Sequence, residues 1–194
     1  MKTLTVCVYC GSRFGNRPEY EAAALELGGL IGRNGWQLVY GGGNVGLMGV
    51  VADAAIESGA RVVGIIPESL MKREVGHRGL AELHVVQTMH ERKQMMAERA
   101  DVFVALPGGI GTFEELFEVW TWHQLGYHDK PIGLLNVAGY YDTFLDFMSQ
   151  TTEAGFLSET QLKTLQVDTD AVRLLQRLSL LAPRTSGPDD YTRI

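Results

Sequence analysis

Covalent and metallic scaffolding is nearly absent from this sequence. Its 194 residues include two cysteines, Cys7 and Cys10, too few for a disulfide framework. They form a C-x-x-C, but redox motifs of that kind put the first thiol at a helix N-terminus. These two lie on a run that reads as a strand and, three residues apart, face opposite sides of it. Buried, unreactive thiols are the reading. Positive charge is also short: 17 Lys plus Arg against 23 Asp plus Glu give a net charge of −6, which argues against a nucleic-acid partner or an anionic membrane. No apolar run reaches the roughly 18 to 20 residues of a membrane helix. The opening "MKTLTVCVYCGS" has no small-residue cleavage site and reads as a first strand, so a soluble cytoplasmic protein is expected. Internal repeats and low-complexity blocks are missing.

Apolar residues make up 45% of the chain, enough for the continuous core of one compact domain. We expect that domain over 1–181 and an unstructured tail over 182–194, where Pro183, Ser186, Gly187, Pro188 and two aspartates cluster. Runs rich in Val, Ile and Leu recur at 3–10, 36–41, 61–67, 82–87, 101–108 and 131–136. Their length and nearly unbroken apolarity suit strands buried on both faces. Helical stretches alternate with them, and 158–179 reads as two short helices around a small strand at 165–167. Strand then helix, repeated, predicts an α/β fold: a doubly wound, Rossmann-like parallel sheet with helices on both faces. Ligands of such sheets bind beyond the carboxyl ends of the strands, so the strand-to-helix turns carry the functional information.

Three of those turns are glycine-bearing. In "CGSRFGN" (10–16), Gly11 permits a tight turn and Ser12 offers a hydroxyl and an amide to an anion. In "GGGNVGLMG" (41–49), Gly41, Gly43 and Gly46 fit G-x-G-x-x-G, but that dinucleotide fingerprint belongs to the first strand-to-helix turn and this is the second. A site for one nucleotide walled by several glycine turns accounts for more, with Gly43 among its contacts. In "LPGGIGTFEEL" (106–116), Gly108 and Gly109 let backbone approach a ligand, and the following helix offers free amides and a positive dipole end to a phosphate. Thr112 is placed to be the N-cap of that helix. Thr112-x-x-Glu115 also matches a capping box, in which Glu115 would only satisfy the N-cap amide. The segment "MHERKQMM" (89–96) sets Arg92 and Lys93 in the first turn of another helix, where the dipole disfavours cations and a ligand anion would welcome them. Met48, Met89, Met95 and Met96 read as core, with one or two of them, Met89 included, candidates to line an adenine slot.

Several of these stretches, in order, resemble one family. "PGGIGTFEE" (107–115) is similar to the P-G-G-x-G-T-x-x-E signature of the LOG ("Lonely Guy") nucleotide phosphoribohydrolases, often mislabelled lysine decarboxylases. "VYCGS" (8–12), "GGGNVGLMG", "MHERK" (89–93), "EVWTWHQLGYHDKPIGLLN" (118–136) and "GYYD" (139–142) match in the same register. The resemblance implies hydrolysis of the N-glycosidic bond of an adenosine-type 5′-monophosphate, with no cofactor or metal, by a homodimer. It places the active pair on Arg92 and Glu115. It places substrate contacts on Glu74, Lys93, the stretch Gly109, Ile110, Gly111, Thr112, Phe113 and Glu114, and Thr121.

Glycosidic cleavage builds positive charge on the sugar, and a carboxylate near the anomeric carbon favours that cation. Two charges in one turn then serve two ends of a ligand: amides for phosphate, Glu115 for ribose. Other readings are weaker. A pyridoxal-dependent decarboxylase needs a Schiff-base lysine, and of Lys2, Lys72, Lys93, Lys130 and Lys163 only Lys93 lies near these turns. A nicotinamide oxidoreductase lacks identifiable hydride-transfer residues. A nucleotide-binding carrier without catalysis remains the alternative, and the coexistence of Arg92 and Glu115 weighs against it.

Overall fold

The computed structural model describes residues 3–71, 76–77, 79–182, 189 and 191. The apolar runs form seven strands: β1 (Thr5–Tyr9), β2 (Gln37–Tyr40), β3 (Arg61–Pro67), β4 (Glu82–Val86), β5 (Val102–Ala105), β6 (Ile132–Leu135) and β7 (Leu165–Asp168). Between them lie helices α1 (Pro18–Arg33), α2 (Gly46–Glu57), α3 (Glu68–Met71), α4 (Met89–Arg99), α5 (Ile110–Gln124), α6 (Asp142–Glu153), α7 (Glu159–Leu162) and α8 (Ala171–Leu181). The single-turn α3 has no periodic sequence signal, and the sequence reading did not anticipate it. Every strand pairing is parallel, in the order β4-β3-β2-β1-β5-β6-β7. This is the α/β doubly wound architecture expected from the alternating pattern.

β1 and β5 are buried at every position, because helices cover both faces of the sheet. Alternate residues of β1 feed two cores. Val6 and Val8 join Leu27, Ile31 and Val51 of α1 and α2 and Leu174 and Leu178 of α8. Cys7 and Tyr9 join Met96 of α4 and Leu116, Val119 and Trp120 of α5. Cys7 and Cys10 fall in different cores, both free and buried. Burial pushes both thiols far above the ordinary cysteine range, so neither is a thiolate nucleophile.

From β1 the chain winds outward through β2, β3 and β4, then crosses back to lay β5 against the other side of β1. Strand order therefore reverses between β1 and β5, where Tyr9 pairs with Ala105. The loops leaving these two carboxyl ends meet at once: Leu106 N donates to Tyr9 O at 2.9 Å and Gly11 N to Pro107 O at 3.0 Å. A crevice at such a reversal is where an open α/β sheet presents its ligand site.

Of the segment 182–194 expected to be an unstructured tail, Ala182, Asp189 and Tyr191 are among the described residues and the rest lies outside them. Tyr191 is buried, its ring packs on Trp122 and His128, and Asp189 Oδ2 lies 2.6 Å from the buried Lys130 Nζ. A composition of Pro, Ser, Gly and Asp reads as solvated chain, and the pull of one buried lysine is invisible to it. Among the described residues no helix is long and apolar enough to cross a membrane.

Candidate active site

The crevice between β1 and β5 is a cleft of about 580 Å³. Its floor is the first loop, Cys10 to Gly15, and the stretch Pro107 to Thr112 at the start of α5; Arg92 and Glu115 line it as well. Tyr140 and Tyr20 meet edge to face at one wall, with ring centroids 5.6 Å apart.

The start of α5 differs from the sequence expectation in a way that changes the chemistry. The N-cap is Gly109, without a side-chain hydrogen bond, and the helix begins at Ile110. Thr112 is therefore already helical and is not the N-cap, and the capping box with Glu115 is excluded by position. Thr112 is buried, and its hydroxyl occupies the space a Cβ on Gly108 would need. Gly108 is thus a packing requirement. Gly109 and Gly111 are different: a Cβ on either would meet nothing within 4 Å. Both line the open cleft, and the first turn of a helix leaves amides there without internal acceptors. Positive dipole end, free amides and open space make an anion cradle. Tyr140 Oη donates to Gly108 O and ties the turn to the cleft wall.

The two adjacent glutamates of α5 diverge by the roughly 100° that separates consecutive helical residues. Glu115 is nearly buried, and its Oε1 lies 3.7 Å from Arg92 Nη2. Glu114 is half exposed and accepts from Lys93 Nζ at 2.6 Å, which also donates to Glu118 Oε1 at 2.8 Å. Burial opposes the charge on Lys93, but the hydrogen bonds to Glu114 and Glu118 outweigh it and hold its pKa above the lysine norm. Burial raises Glu118 against the pull of Lys93.

Both cations come from α4, which is fixed by its own cap. Thr88 Oγ1 accepts from Glu91 N at 3.1 Å and Glu91 Oε2 from Gln87 N at 2.8 Å. Arg92 and Lys93 sit just past that turn, their charge offset by α5 carboxylates, which resolves the unfavourable dipole placement. Arg92 is buried, donates from Nη2 to Gly41 O at 3.5 Å, and has a buried Nε with no hydrogen-bond partner among the described residues. A desolvated guanidinium with an unused donor beside a carboxylate, at the edge of an anion cradle, is equipped to grip a polar ligand.

The comparisons with known proteins follow this geometry. A family model described as "Possible lysine decarboxylase" matches residues 48–178. Cytokinin riboside 5′-monophosphate phosphoribohydrolase LOG1 of Arabidopsis thaliana is 48% identical over 180 residues, 92% of this chain and 84% of that protein. The chain belongs to the LOG family. The rice phosphoribohydrolase LOG is 49% identical over 178 residues, 92% of this chain and 74% of that protein. Among solved structures, the molybdenum cofactor binding protein of Rippkaea orientalis matches with a TM-score of 0.71 at 22% identity, covering 94% of this chain and 99% of that one. That likeness is one of fold.

Of the residues singled out from the sequence and the LOG resemblance, the cleft gathers Gly11, Ser12, Arg92, Gly108, Gly109, Ile110, Gly111, Thr112 and Glu115. Lys93, Phe113 and Glu114 lie outside its lining, as do Gly43, which bridges to Gly76, and Met89, which is 40% exposed with Sδ 3.9 Å from Arg92 Nη1. Thr121 is exposed on α5, nine residues and about 14 Å along the axis from Thr112. Glu74 falls outside the described residues. Sequence reasoning missed Arg13, Phe14, Tyr20, Leu47 and Tyr140 as cleft residues. Only Phe14, a large apolar residue in an otherwise polar loop and 51% exposed, carried a local signal.

Proposed function

We propose that this LOG-family chain is a phosphoribohydrolase that cleaves the N-glycosidic bond of cytokinin riboside 5′-monophosphates, and of AMP, releasing free base and ribose 5-phosphate. The observation that carries the reading is the Arg92–Glu115 pair, held at 3.7 Å beside the open start of α5. The 5′-phosphate binds the amides of Gly109, Gly111 and Thr112. That anchoring sets the ribose over Glu115. As the C1′–N9 bond lengthens, its electron pair leaves with the base, and the carboxylate of Glu115 favours the cation left on the sugar. A water adds to C1′ and gives its proton to Glu115, which can pass it on to the departing base. Arg92 keeps Glu115 ionised and turns its spare donors to a sugar hydroxyl or the phosphate.

Lys93 acts from the α4–α5 seam, where its ammonium is positioned by Glu114 and Glu118. The chain works as a cytoplasmic homodimer: α5 exposes Ile110, Phe117 and Leu125 along one side, an apolar stripe that a second copy would cover, with Thr121 on the same side.

The test is a paired assay of AMP and an N6-prenylated AMP, following free base. Glu115→Gln and Arg92→Ala are each expected to lower turnover at least about a hundredfold, the scale of a lost acid–base or charge-stabilising group. Near-normal turnover in either variant removes that residue from the mechanism. Binding of both nucleotides without release of base by the wild type would make the protein a carrier.

A further inference from the structure

The G-x-G-x-x-G of residues 41–46 plays no part in the cleavage chemistry, yet its first glycine touches the residue on which that chemistry depends. We propose that the turn after β2 is a seat for the Arg92 guanidinium, and that Gly41 is a positioning residue which keeps that cation beside Glu115. The inference rests on the hydrolase reading for its kinetic consequence and on geometry alone for its structural one.

Each glycine of the motif is used inside the protein. A Cβ on Gly41 would overlap Arg92 Nη2, while the Gly41 carbonyl accepts from that same nitrogen at 3.5 Å. Gly41 is not among the residues with positive φ, so nothing in its own backbone calls for glycine; the guanidinium does. Gly43 forms an antiparallel bridge with Gly76. Gly46 has φ +55°, and a Cβ there would overlap the backbone of Ser12 and Arg13, so it joins the start of α2 to the first loop. Neither Gly41 nor Gly46 faces open space, in contrast to Gly109 and Gly111.

The seat is braced from behind. His77 N donates to Gly42 O at 3.0 Å, His77 Nε2 lies 2.8 Å from Asp53 Oδ1, and its Nδ1 accepts from Gly79 N at 3.0 Å. Gly42 lies against β3 and β4, where a Cβ would come within 3.2 Å of Ile65 N and Ile66 Cβ and within 3.1 Å of Leu83 Cδ1. Among the described residues Arg92 is held on its other sides by little: Met89 Sδ at 3.9 Å, Glu115 at 3.7 Å, and no hydrogen-bond partner for Nε. With so few hydrogen bonds, the empty volume at Gly41 and its carbonyl decide where the guanidinium rests. The cleft beside it gives the side chain somewhere to go when that volume is filled.

The experiment compares wild type, Gly41→Ala, Arg92→Ala and the double variant. Gly41→Ala should lower kcat about a hundredfold, as expected when a catalytic group moves by an ångström. Its melting temperature should stay within about 3 °C of wild type, since the clash is with the mobile end of a side chain. The double variant should be no slower than Arg92→Ala alone, because the methyl then has nothing to displace. A Gly41→Ala kcat within about threefold of wild type, or losses that multiply in the double variant, would overturn the proposal. The NMR signal of the Arg92 Nε–H group, identified by its disappearance in Arg92→Ala, reads the seat without turnover. It should shift in Gly41→Ala, and an unmoved signal overturns the seat whatever the kinetics. A shifted signal in a protein that releases no base from any nucleotide sinks the hydrolase reading and supports the seat.

Discussion

Asp189 offers the sharpest test of how the chain terminus serves the domain. Lys130 is buried, with 5% of its side chain exposed, and among the described residues its ammonium has three partners: Ala97 O at 2.7 Å, Tyr191 Oη at 3.2 Å and Asp189 Oδ2 at 2.6 Å. Only Asp189 carries the opposite charge. Asp189→Asn leaves a buried cation with neutral acceptors. Breaking a fully buried ion pair from one side costs about 3–5 kcal/mol, but Asp189 is 18% exposed and two acceptors remain, so about 2–3 kcal/mol is expected. In a chain of this length that corresponds to a fall of roughly 5–10 °C in melting temperature. Thermal and urea unfolding at pH 7 measure it, with Lys130→Met/Asp189→Asn as the control. Removing both charges should recover most of the loss, because the penalty lies in the widowed ammonium. An Asp189→Asn protein that melts within about 1 °C of wild type refutes the reasoning.

Two further predictions follow from the same contacts. His128 donates from Nε2 to Val119 O at 2.9 Å and accepts at Nδ1 from Lys130 N at 3.1 Å, an arrangement only the neutral ring satisfies. Burial pulls its pKa down to about 4. The unfolded chain therefore takes up a proton below about pH 6.5 that the folded chain refuses, so stability is full above that pH. It falls by up to about 3 kcal/mol as pH drops to 4. The measurement is the difference in unfolding free energy between wild type and His128→Phe across that window, and parallel curves for the two proteins would remove His128 as the cause. At the α5 start, Gly109→Ala should leave stability unchanged while weakening ribose 5-phosphate binding at least about tenfold by calorimetry, because its methyl would enter the anion cradle. Gly108→Ala should destabilise by about 1–3 kcal/mol through overlap with Thr112 and Gly11. Equal behaviour of the two variants in both assays would contradict the division between them.

The alternation of apolar runs with helical stretches was enough to read the parallel sheet, because strands buried on both faces lose the polar alternation that would disguise them. What sequence could not place was the phase of α5. Thr112 has the chemistry of an N-cap, and Gly109 has none to advertise. The helix starts at Ile110, two residues before Thr112, and the Thr112 hydroxyl is turned inward against Gly108, a tertiary constraint with no local signature. Spacing brought Arg92 and Glu115 to notice separately and the family resemblance paired them, while their 3.7 Å approach from α4 and α5 is visible only in the structure. Tyr20, Leu47 and Tyr140 were illegible as cleft residues for a related reason. Tyr20 and Leu47 sit in α1 and α2, whose apolar patterns are explained by the core, and Tyr140 in the turn before α6; which of them stands at the rim depends on how the loops after β1 and β5 close.

The fold alone does not separate a hydrolase from a carrier, since the molybdenum cofactor binding protein of Rippkaea orientalis has the same architecture at 22% identity. The likeness is one of fold alone, and a strand-order reversal offers a crevice to a ligand whatever is done with it. A carrier gains nothing from a buried carboxylate beside the ligand: its charge repels an anionic cargo and is expensive to desolvate unless a cation accompanies it. A hydrolase needs that carboxylate where positive charge develops, and needs the accompanying cation to keep it ionised. Here the cation is supplied by a second helix, and the room for it by a glycine in a third loop. So much of the structure is committed to holding Arg92 and Glu115 at 3.7 Å that the pair is better explained by a cation formed during reaction than by an anion merely stored.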